Sequence, residues 1–360
     1  MVVPTFREVE NIPALAARVA AVLSPSGREW ELLLSDDDSG DGSESVVAAL
    51  AARLPIRIAV RRGRPRDLSL AVLDGIRGAR FDLVCVMDAD LSHPPERMPE
   101  LLALLDDGCD LAVGSRYVPG AEIAADWGLF RRLNSRAATL LARPLARCAD
   151  PMSGFFAADR RRLPDPRRLR PLGYKIGLEL MVRGRLRVRE APIAFRDRSR
   201  GASKLNWRQQ WNALRHLGRL YRFRFPRMVR GLSFGLVGAS GFVVDSACYF
   251  GAQWLGAHHL LARFLSFWPA VSWNWWWNRL LTFADRPTGP RAAQWRRFAL
   301  ASAAGLLVNF GTYWLLTAAV AFFARERFAA LVIGVVAGSV FNFAVANRFV
   351  YGERPAAPSP

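Results

Sequence analysis

The clearest chemistry in this 360-residue sequence is a pair of carboxylates at the end of an apolar run. Residues 81–87 read as a buried strand that stops at Asp88-Ala89-Asp90-Leu91-Ser92-His93-Pro94-Pro95-Glu96. Alternate residues of an extended stretch point the same way, so both carboxylates can reach one divalent cation. A hard cation such as Mg²⁺ takes oxygen ligands and is usually shared between one or two carboxylates and substrate phosphates. Pro94-Pro95 suits the first turn of a helix, where a missing N–H costs little. On a second reading Asp90 does no more than cap that helix.

The elements around this pair alternate short apolar runs with helical patterns, which indicates βα units and a mostly parallel sheet. Helices are expected over residues 11–23, with Asn11 as cap, 43–54 and 67–79, and strands over 31–35, 56–60 and 81–87. Only Met1-Val2-Val3 precede Pro4, short for a first strand of about 5–6 residues. The second strand also ends in acid, Ser35-Asp36-Asp37-Asp38-Ser39-Gly40-Asp41-Gly42-Ser43. Beside Asp88 and Asp90 this makes an acidic pocket suited to a nucleotide base or ribose plus a metal. The same stretch also reads as a plain Asp- and Gly-rich turn.

With Pro4-Thr5-Phe6-Arg7-Glu8 in front, this order resembles the N-terminal half of the family 2 glycosyltransferases of GT-A fold. Gly114-Ser115-Arg116-Tyr117, Asp150-Pro151-Met152-Ser153-Gly154-Phe155, Gly173-Tyr174-Lys175-Ile176, Phe195-Arg196-Asp197-Arg198 and Gly201-Ala202-Ser203-Lys204 look like the polyprenol (dolichol) phosphate mannose synthase group. The likeness covers residues 1–205. Two positions depart from it: Arg7 stands where the group usually has Asn, and Ser92 where it often has Gln.

The resemblance implies an α/β, Rossmann-like GT-A domain that binds a nucleotide sugar. It sets the donor against Pro4, Phe6, Glu8, Ser35 and Asp37, with Asp88, Ala89 and Asp90 at a diphosphate–metal centre. Ser92 would offer a hydroxyl or a water to the Mg²⁺ or Mn²⁺. Arg116, Lys175, Arg198 and Lys204 would neutralise phosphate charge. Catalysis would then rest on Asp88, Asp90, Arg116, Arg198 and Lys204. Lys175 and Lys204 are also the only lysines in an arginine-rich chain. A retained ammonium at those positions suggests a role that a guanidinium does not fill, although two leftover surface lysines would look the same.

The acceptor is expected on Trp127-Gly128-Leu129-Phe130-Arg131-Arg132-Leu133-Asn134-Ser135, the start of an amphipathic helix. Arg131 and Ser135, four apart, share a face and can grip a phosphate with help from Arg116, while Phe130 and Leu133 touch lipid. The family's acceptor-binding helix has Arg and Ser at this spacing. The alternative is a solvated basic face that meets only lipid headgroups.

A net charge of +19 points to nucleic acid or to an anionic membrane. Residues 183–230 hold most of the clustered charge, only Glu190 and Asp197 being acidic there, and they directly precede long apolar segments. That arrangement reads as a cytoplasmic, lipid-facing collar, and no RNA- or DNA-binding signature is present. Four cysteines without a C-x-x-C pair suggest neither zinc nor a disulfide framework. No basic-then-apolar leader opens the sequence, so the front of the protein is expected in the cytosol.

Beyond Lys204, Trp207, Trp211, Leu214, Leu217, Leu220 and Tyr221 recur at helical spacing among Arg208, Arg215, Arg219 and Arg222, as in an interfacial amphipathic helix. Four hydrophobic segments follow, at residues 231–255, 264–283, 298–323 and 328–347, each long enough to span a bilayer. They repeat: Gly241-Phe242-Val243-Val244-Asp245 parallels Gly305-Leu306-Leu307-Val308-Asn309, and Asn278-Arg279 parallels Asn347-Arg348. Two tandem hairpins result, and this half resembles the GtrA-like membrane domain. Asp245, costly in lipid, must face protein or water.

The expected organisation is a catalytic domain at 1–205, an interface helix and basic collar at 206–230, a four-helix transmembrane domain at 231–350 and a disordered tail at 351–360. The arginine asymmetry of the loops sets both termini and the catalytic domain in the cytosol, on a cell (inner) membrane. The function expected is inverting, metal-dependent transfer of mannose from GDP-mannose to a membrane polyprenyl phosphate. Transfer of glucose or another sugar from UDP is the alternative within the class, and a non-catalytic, flippase-like transporter the alternative outside it.

Overall fold

The computed structural model describes residues 1–123, 129–173, 175–195, 207–286 and 289–352, with the backbone alone at 123, 129–132 and 207–209. It forms two units, Met1–Arg224 and Phe225–Pro360.

The first unit is built on strands β1 (Val2–Thr5), β2 (Leu32–Asp36), β3 (Ile56–Val60), β4 (Leu83–Val86), β5 (Leu111–Ser115), β6 (Glu122–Ile123), β7 (Phe156–Asp159), β8 (Val188–Pro192) and β9 (Ala194–Phe195). Its helices are α1 (Ile12–Leu23), α2 (Ser43–Ala51), α3 (Leu68–Gly78), α4 (Met98–Asp106), α5 (Leu129–Ala142), α6 (Ile176–Gly184) and α7 (Trp207–Arg224). Seven strands make one sheet in the order β3-β2-β1-β4-β7-β5-β8. It is parallel except for β7, which runs against both neighbours. β1 and β2 are buried along their whole length, as a sheet covered on both faces requires. α1 supplies one cover: Ile12, Leu15, Ala16, Val19 and Leu23 form its buried stripe. Val3, Leu34, Met87, Ala112 and Phe155 complete this core with Met98 and Leu101 of α4.

β1 does not stop short as its three leading residues suggested. It continues across Pro4 to Thr5, pairing Pro4 with Ser35 and Thr5 with Asp36. β1, β2 and β3 step outward on one side, and β4 returns to the other side of β1. The switch point of the sheet therefore lies between β1 and β4, where a crevice opens beyond the strand ends. Asp90 does not cap α4, whose N-cap position is Arg97.

The second unit contains α8 (Pro226–Trp254), α9 (His259–Trp277), α10 (Arg291–Ala319), α11 (Ala321–Arg325) and α12 (Arg327–Val345), with π-helical turns at Asn278–Thr282 and Ala346–Val350. α8 packs on α9 and α10 on α12, as the repeat predicted. Among the described residues, three stretches, Pro226–Trp254, Arg291–Ala319 and Arg327–Val350, are long and apolar enough to cross a membrane. α9 was expected as a fourth, but Arg263, Asn274 and its tryptophans lower its mean hydropathy.

Each hairpin closes on a glycine. A methyl on Gly241 would overlap Asn274, and one on Gly305 would overlap Asn342, small residues letting membrane helices approach. These contacts and the two π turns align Asn278 with Ala346, one residue off the pairing read from Asn278-Arg279 and Asn347-Arg348. Asp245 is satisfied inside this unit, paired with Arg263 and accepting from Ser266 Oγ at 2.8 Å. Of the tail expected at 351–360, only Tyr351 and Gly352 lie among the described residues. Tyr351 is buried, its ring stacked 4.3 Å from that of Phe283, because the large aromatic surface packs better there than in water.

Candidate active site

A cleft of about 600 Å³ opens beyond the ends of β1 and β4, within the usual range for a small-molecule site. Asp88 sits just past β4, its carboxylate about one-third exposed (36%) and without a hydrogen bond among the described residues. Asp90 is buried and accepts the Ser92 N–H at 3.1 Å. Gly154 passes close to Asp88: a Cβ there would stand 3.3 Å from Asp88 Oδ2, so a side chain would have to push that carboxylate aside. Beside Asp88 lies the ring of His93, whose Nδ1 is 3.9 Å from Oδ2. Burial lowers the His93 pKa from its ordinary value.

The opposite charge comes from Arg116 and Lys175. Arg116 Nε and Nη2 grip the fully buried Asp150 at 2.7 and 2.9 Å, and the Arg116 backbone N–H adds a third bond at 3.0 Å. Burial alone would raise the Asp150 pKa, but the Arg116 bonds overrule it and hold the carboxyl below its usual value. Lys175 Nζ donates to the Met152 carbonyl at 2.6 Å. Burial, helped by the charge of Arg116, pushes the Lys175 pKa down to about 8. The loop that carries Lys175 is clasped by α3: Ser69 Oγ donates to the Gly173 carbonyl at 2.6 Å, and Asp67 Oδ2 accepts the Gly173 N–H at 3.2 Å.

At the other end stand Phe6, Glu8 and Asp37. Arg66 lies over the Phe6 ring at 4.6 Å, a cation–π contact. Asn11, expected to cap α1, instead donates its amide to Glu8 Oε2 at 2.6 Å. Asp37 is ion-paired with the buried Arg61 and accepts the Asp67 N–H at 3.0 Å. Across the cleft, Asn134 and Ser135 of α5 face it together with Asn212 of α7, and Ser135 Oγ lies 3.0 Å from Tyr117 Oη.

The cleft thus brings together Pro4, Phe6, Glu8, Asp37, Asp88, Ala89, Asp90, Arg116, Ser135 and Lys175 of the expected residues. Two expected residues are not among those lining the cleft. Ser35 is buried in the sheet, its Cβ 3.4 Å from where a Cβ on Gly75 of α3 would stand, and does not line the cleft. Ser92 is buried too and is not among the lining residues, because Leu91 takes a left-handed φ of 58° that turns the chain and presents His93 instead. Arg198 and Lys204 lie outside the described residues, as does the side chain of Arg131. The sequence reading missed His93, Asp150, Arg66 and Asn212. Asp150 opened a motif already singled out, and His93 followed the two carboxylates directly.

Comparison with known proteins accounts for both units. The profile of "Glycosyl transferase family 2" matches residues 1–163, and that of "GtrA/DPMS, transmembrane domain" residues 233–351, which makes the chain a membrane protein. The dolichol-phosphate mannosyltransferase of Pyrococcus furiosus is 35% identical over 88% of this chain and 90% of its own. That of Saccharomyces cerevisiae is 40% identical over 62% of this chain and 87% of its own. A crystal structure of glucosyl-3-phosphoglycerate synthase from Mycobacterium tuberculosis overlaps 62% of this chain and 78% of its own, at 21% identity and a TM-score of 0.47. With motifs, cleft and relatives in agreement over most of its length, the chain belongs to the dolichol-phosphate mannosyltransferase group of the family 2 glycosyl transferases and is a glycosyltransferase with a GtrA/DPMS transmembrane domain.

Proposed function

We propose that this enzyme moves one mannosyl group, with inversion, from GDP-mannose to a membrane polyprenyl phosphate such as dolichyl or undecaprenyl phosphate. The observation that carries the reading is one cleft in which an open carboxylate (Asp88) and two cations (Lys175, Arg116) face a helix bearing Ser135. Two carboxylates at the nucleoside end, Glu8 and Asp37, suit the N–H-rich edge of guanine better than the single N–H of uracil.

A divalent cation, Mg²⁺ or Mn²⁺, fits Asp88 and Asp90. Asp88 is an acceptor-only group with no donor bonded to it, and no three His, Cys, Asp or Glu side chains converge among the described residues. A two-carboxylate site of this kind suits an ion completed by the donor's own phosphate oxygens. Bound there, the cation would neutralise charge on the departing diphosphate.

The chain's own residues supply the rest. Lys175 and Arg116 add positive charge where the diphosphate charge grows, and Asp150 fixes the Arg116 fork in place. Ser135, with Arg131 one turn earlier on α5, holds the acceptor phosphate. That phosphate is anionic near neutral pH, its second pKa being about 6. Its oxygen attacks the anomeric carbon, the bond from that carbon to the diphosphate oxygen breaks, and GDP leaves with the electron pair. No general base is needed, so positioning and charge carry the rate. Arg198 and Lys204 belong to the same phosphate-binding set.

The proposed organisation is a catalytic domain at 1–205, an interface segment at 206–230 and a multi-pass membrane domain after it. Arginine-rich loops support cytosolic termini and an inner-face catalytic domain. A donor panel against a short-chain polyprenyl phosphate, read by mass spectrometry on the full chain in detergent, tests the reading. Mannosyl product from GDP-mannose is expected. A preference for UDP-glucose would reassign the donor, and absence of product from every nucleotide sugar would overturn the proposal.

A further inference from the structure

We propose that His93 is a positioning residue for Asp88, donating its Nδ1–H to the carboxylate oxygen that the cation leaves free. The inference rests on the metal reading of Asp88 and Asp90 given above.

The ring packs against two aromatic side chains. Its side chain is 4% exposed and lies between Phe155, at 5.6 Å, and Phe195, at 5.2 Å and nearly perpendicular. Among the described residues, Nδ1 is buried without a hydrogen-bond partner, and the acidic group it approaches is Asp88 Oδ2 at 3.9 Å, about one ångström beyond a hydrogen bond. An orphaned buried N–H is costly, and Asp88 in turn has no donor among the described residues. A small rotation of the Asp88 carboxylate satisfies both groups. Carboxylates that bind metals are themselves hydrogen-bonded by a second group, which fixes which oxygen faces the ion.

The neighbouring alternatives are closed. Ser92 is buried, follows the left-handed Leu91 and is not among the residues lining the cleft. Lys175 is directed to the Met152 carbonyl. Direct ligation by the imidazole is the competing role, and nitrogen coupling to Mn²⁺ distinguishes it in the test below. Either the neutral Nδ1–H tautomer or the imidazolium carries the required donor, so the role does not depend on the charge of the ring.

The test is a Mn²⁺ titration of the full chain in detergent with GDP present, read by electron paramagnetic resonance. His93→Phe keeps the aromatic packing and loses the donor, whereas His93→Asn keeps an N–H close to the Nδ1 position. Second-group losses weaken metals by about 10- to 100-fold. His93→Phe should therefore raise the Mn²⁺ Kd at least tenfold with an unchanged metal-free melting midpoint, and His93→Asn should restore most of the affinity. Should His93→Phe not fold, His93→Gln replaces it, since its amide reaches the Nε2 position and not Nδ1. Equal Mn²⁺ binding by wild type and the donor-less variant overturns this inference alone. So do equal losses in the Asn and donor-less variants, or nitrogen couplings from an imidazole bound directly to Mn²⁺. Wild-type protein that binds no Mn²⁺ with GDP would overturn the metal reading first and this inference with it.

Discussion

Lys175 should give the donor reaction an alkaline limit set by the structure. Burial pushes its pKa from 10.5 to about 8, so the ammonium that meets the diphosphate is present at pH 7 and mostly gone a unit above its midpoint. The protonated fraction falls from about 0.9 at pH 7 to about 0.09 at pH 9, so kcat/KM for the donor should drop roughly tenfold over that range. In the enzyme–donor complex the diphosphate favours the ammonium, so the kcat profile should bend at higher pH than kcat/KM. The sign for stability is the reverse. A lysine with a depressed folded pKa binds fewer protons folded than unfolded between about 8 and 10.5, so its contribution to stability rises with pH across that window. Binding and stability should therefore diverge, which separates this limb from general alkaline unfolding. The assay is initial rate against donor concentration from pH 6.5 to 9.5 with Mg²⁺, which stays soluble there, in wild type and Lys175→Arg. The arginine variant should show no limb near pH 8. A limb of the same midpoint in Lys175→Arg, or a flat wild-type profile, would refute the reasoning.

Three further changes test the surrounding framework. Asp150→Ala removes the buried carboxylate that holds Arg116 by three hydrogen bonds, so the catalytic unit should lose about 3–5 kcal/mol, seen as a melting midpoint lower by roughly 10 °C. Arg7→Asn relieves a left-handed backbone at φ 58° that asparagine tolerates better. It should raise the midpoint by a few degrees at most without changing donor affinity. Arg131→Ala should raise the acceptor KM about ten- to a hundredfold through a lost charged hydrogen bond, while calorimetric donor binding stays within twofold. Equal losses on both substrates would put Arg131 in the diphosphate site.

The part of this fold legible from sequence is the part governed by periodicity. α1 and α3 and the strands β2 and β4 follow from apolar spacing, to within two residues at either end. Asp88 and Asp90 were legible because two carboxylates end a strand whose direction is already known. Alternation failed where the backbone leaves the strand geometry. Arg7, Asp38 and Leu91 all adopt φ of 58° just past strand ends, and there the side facing the cleft no longer follows from counting. That is why His93 was overlooked, whereas Ser92 was expected at the metal from the family resemblance alone. Ser35 is kept from the cleft lining for another reason: it still belongs to β2, and a residue within a covered sheet packs against a helix, here beside Gly75. The pairing of Arg116 with Asp150 joins residues 34 apart, which no local pattern encodes. In the membrane unit, the hairpin repeat was visible, but its register depended on where π turns begin.

The most direct test of the account is transfer of radiolabel from GDP-[14C]mannose into butanol-extractable, acid-labile lipid by the full chain in detergent, with polyprenyl phosphate and Mg²⁺ or Mn²⁺ present. The account predicts label in the lipid phase that disappears with EDTA, returns with excess cation, and is absent in Asp90→Ala although that variant folds. Label that persists through both EDTA and Asp90→Ala would contradict the two-carboxylate, metal-dependent centre on which the proposed function is built.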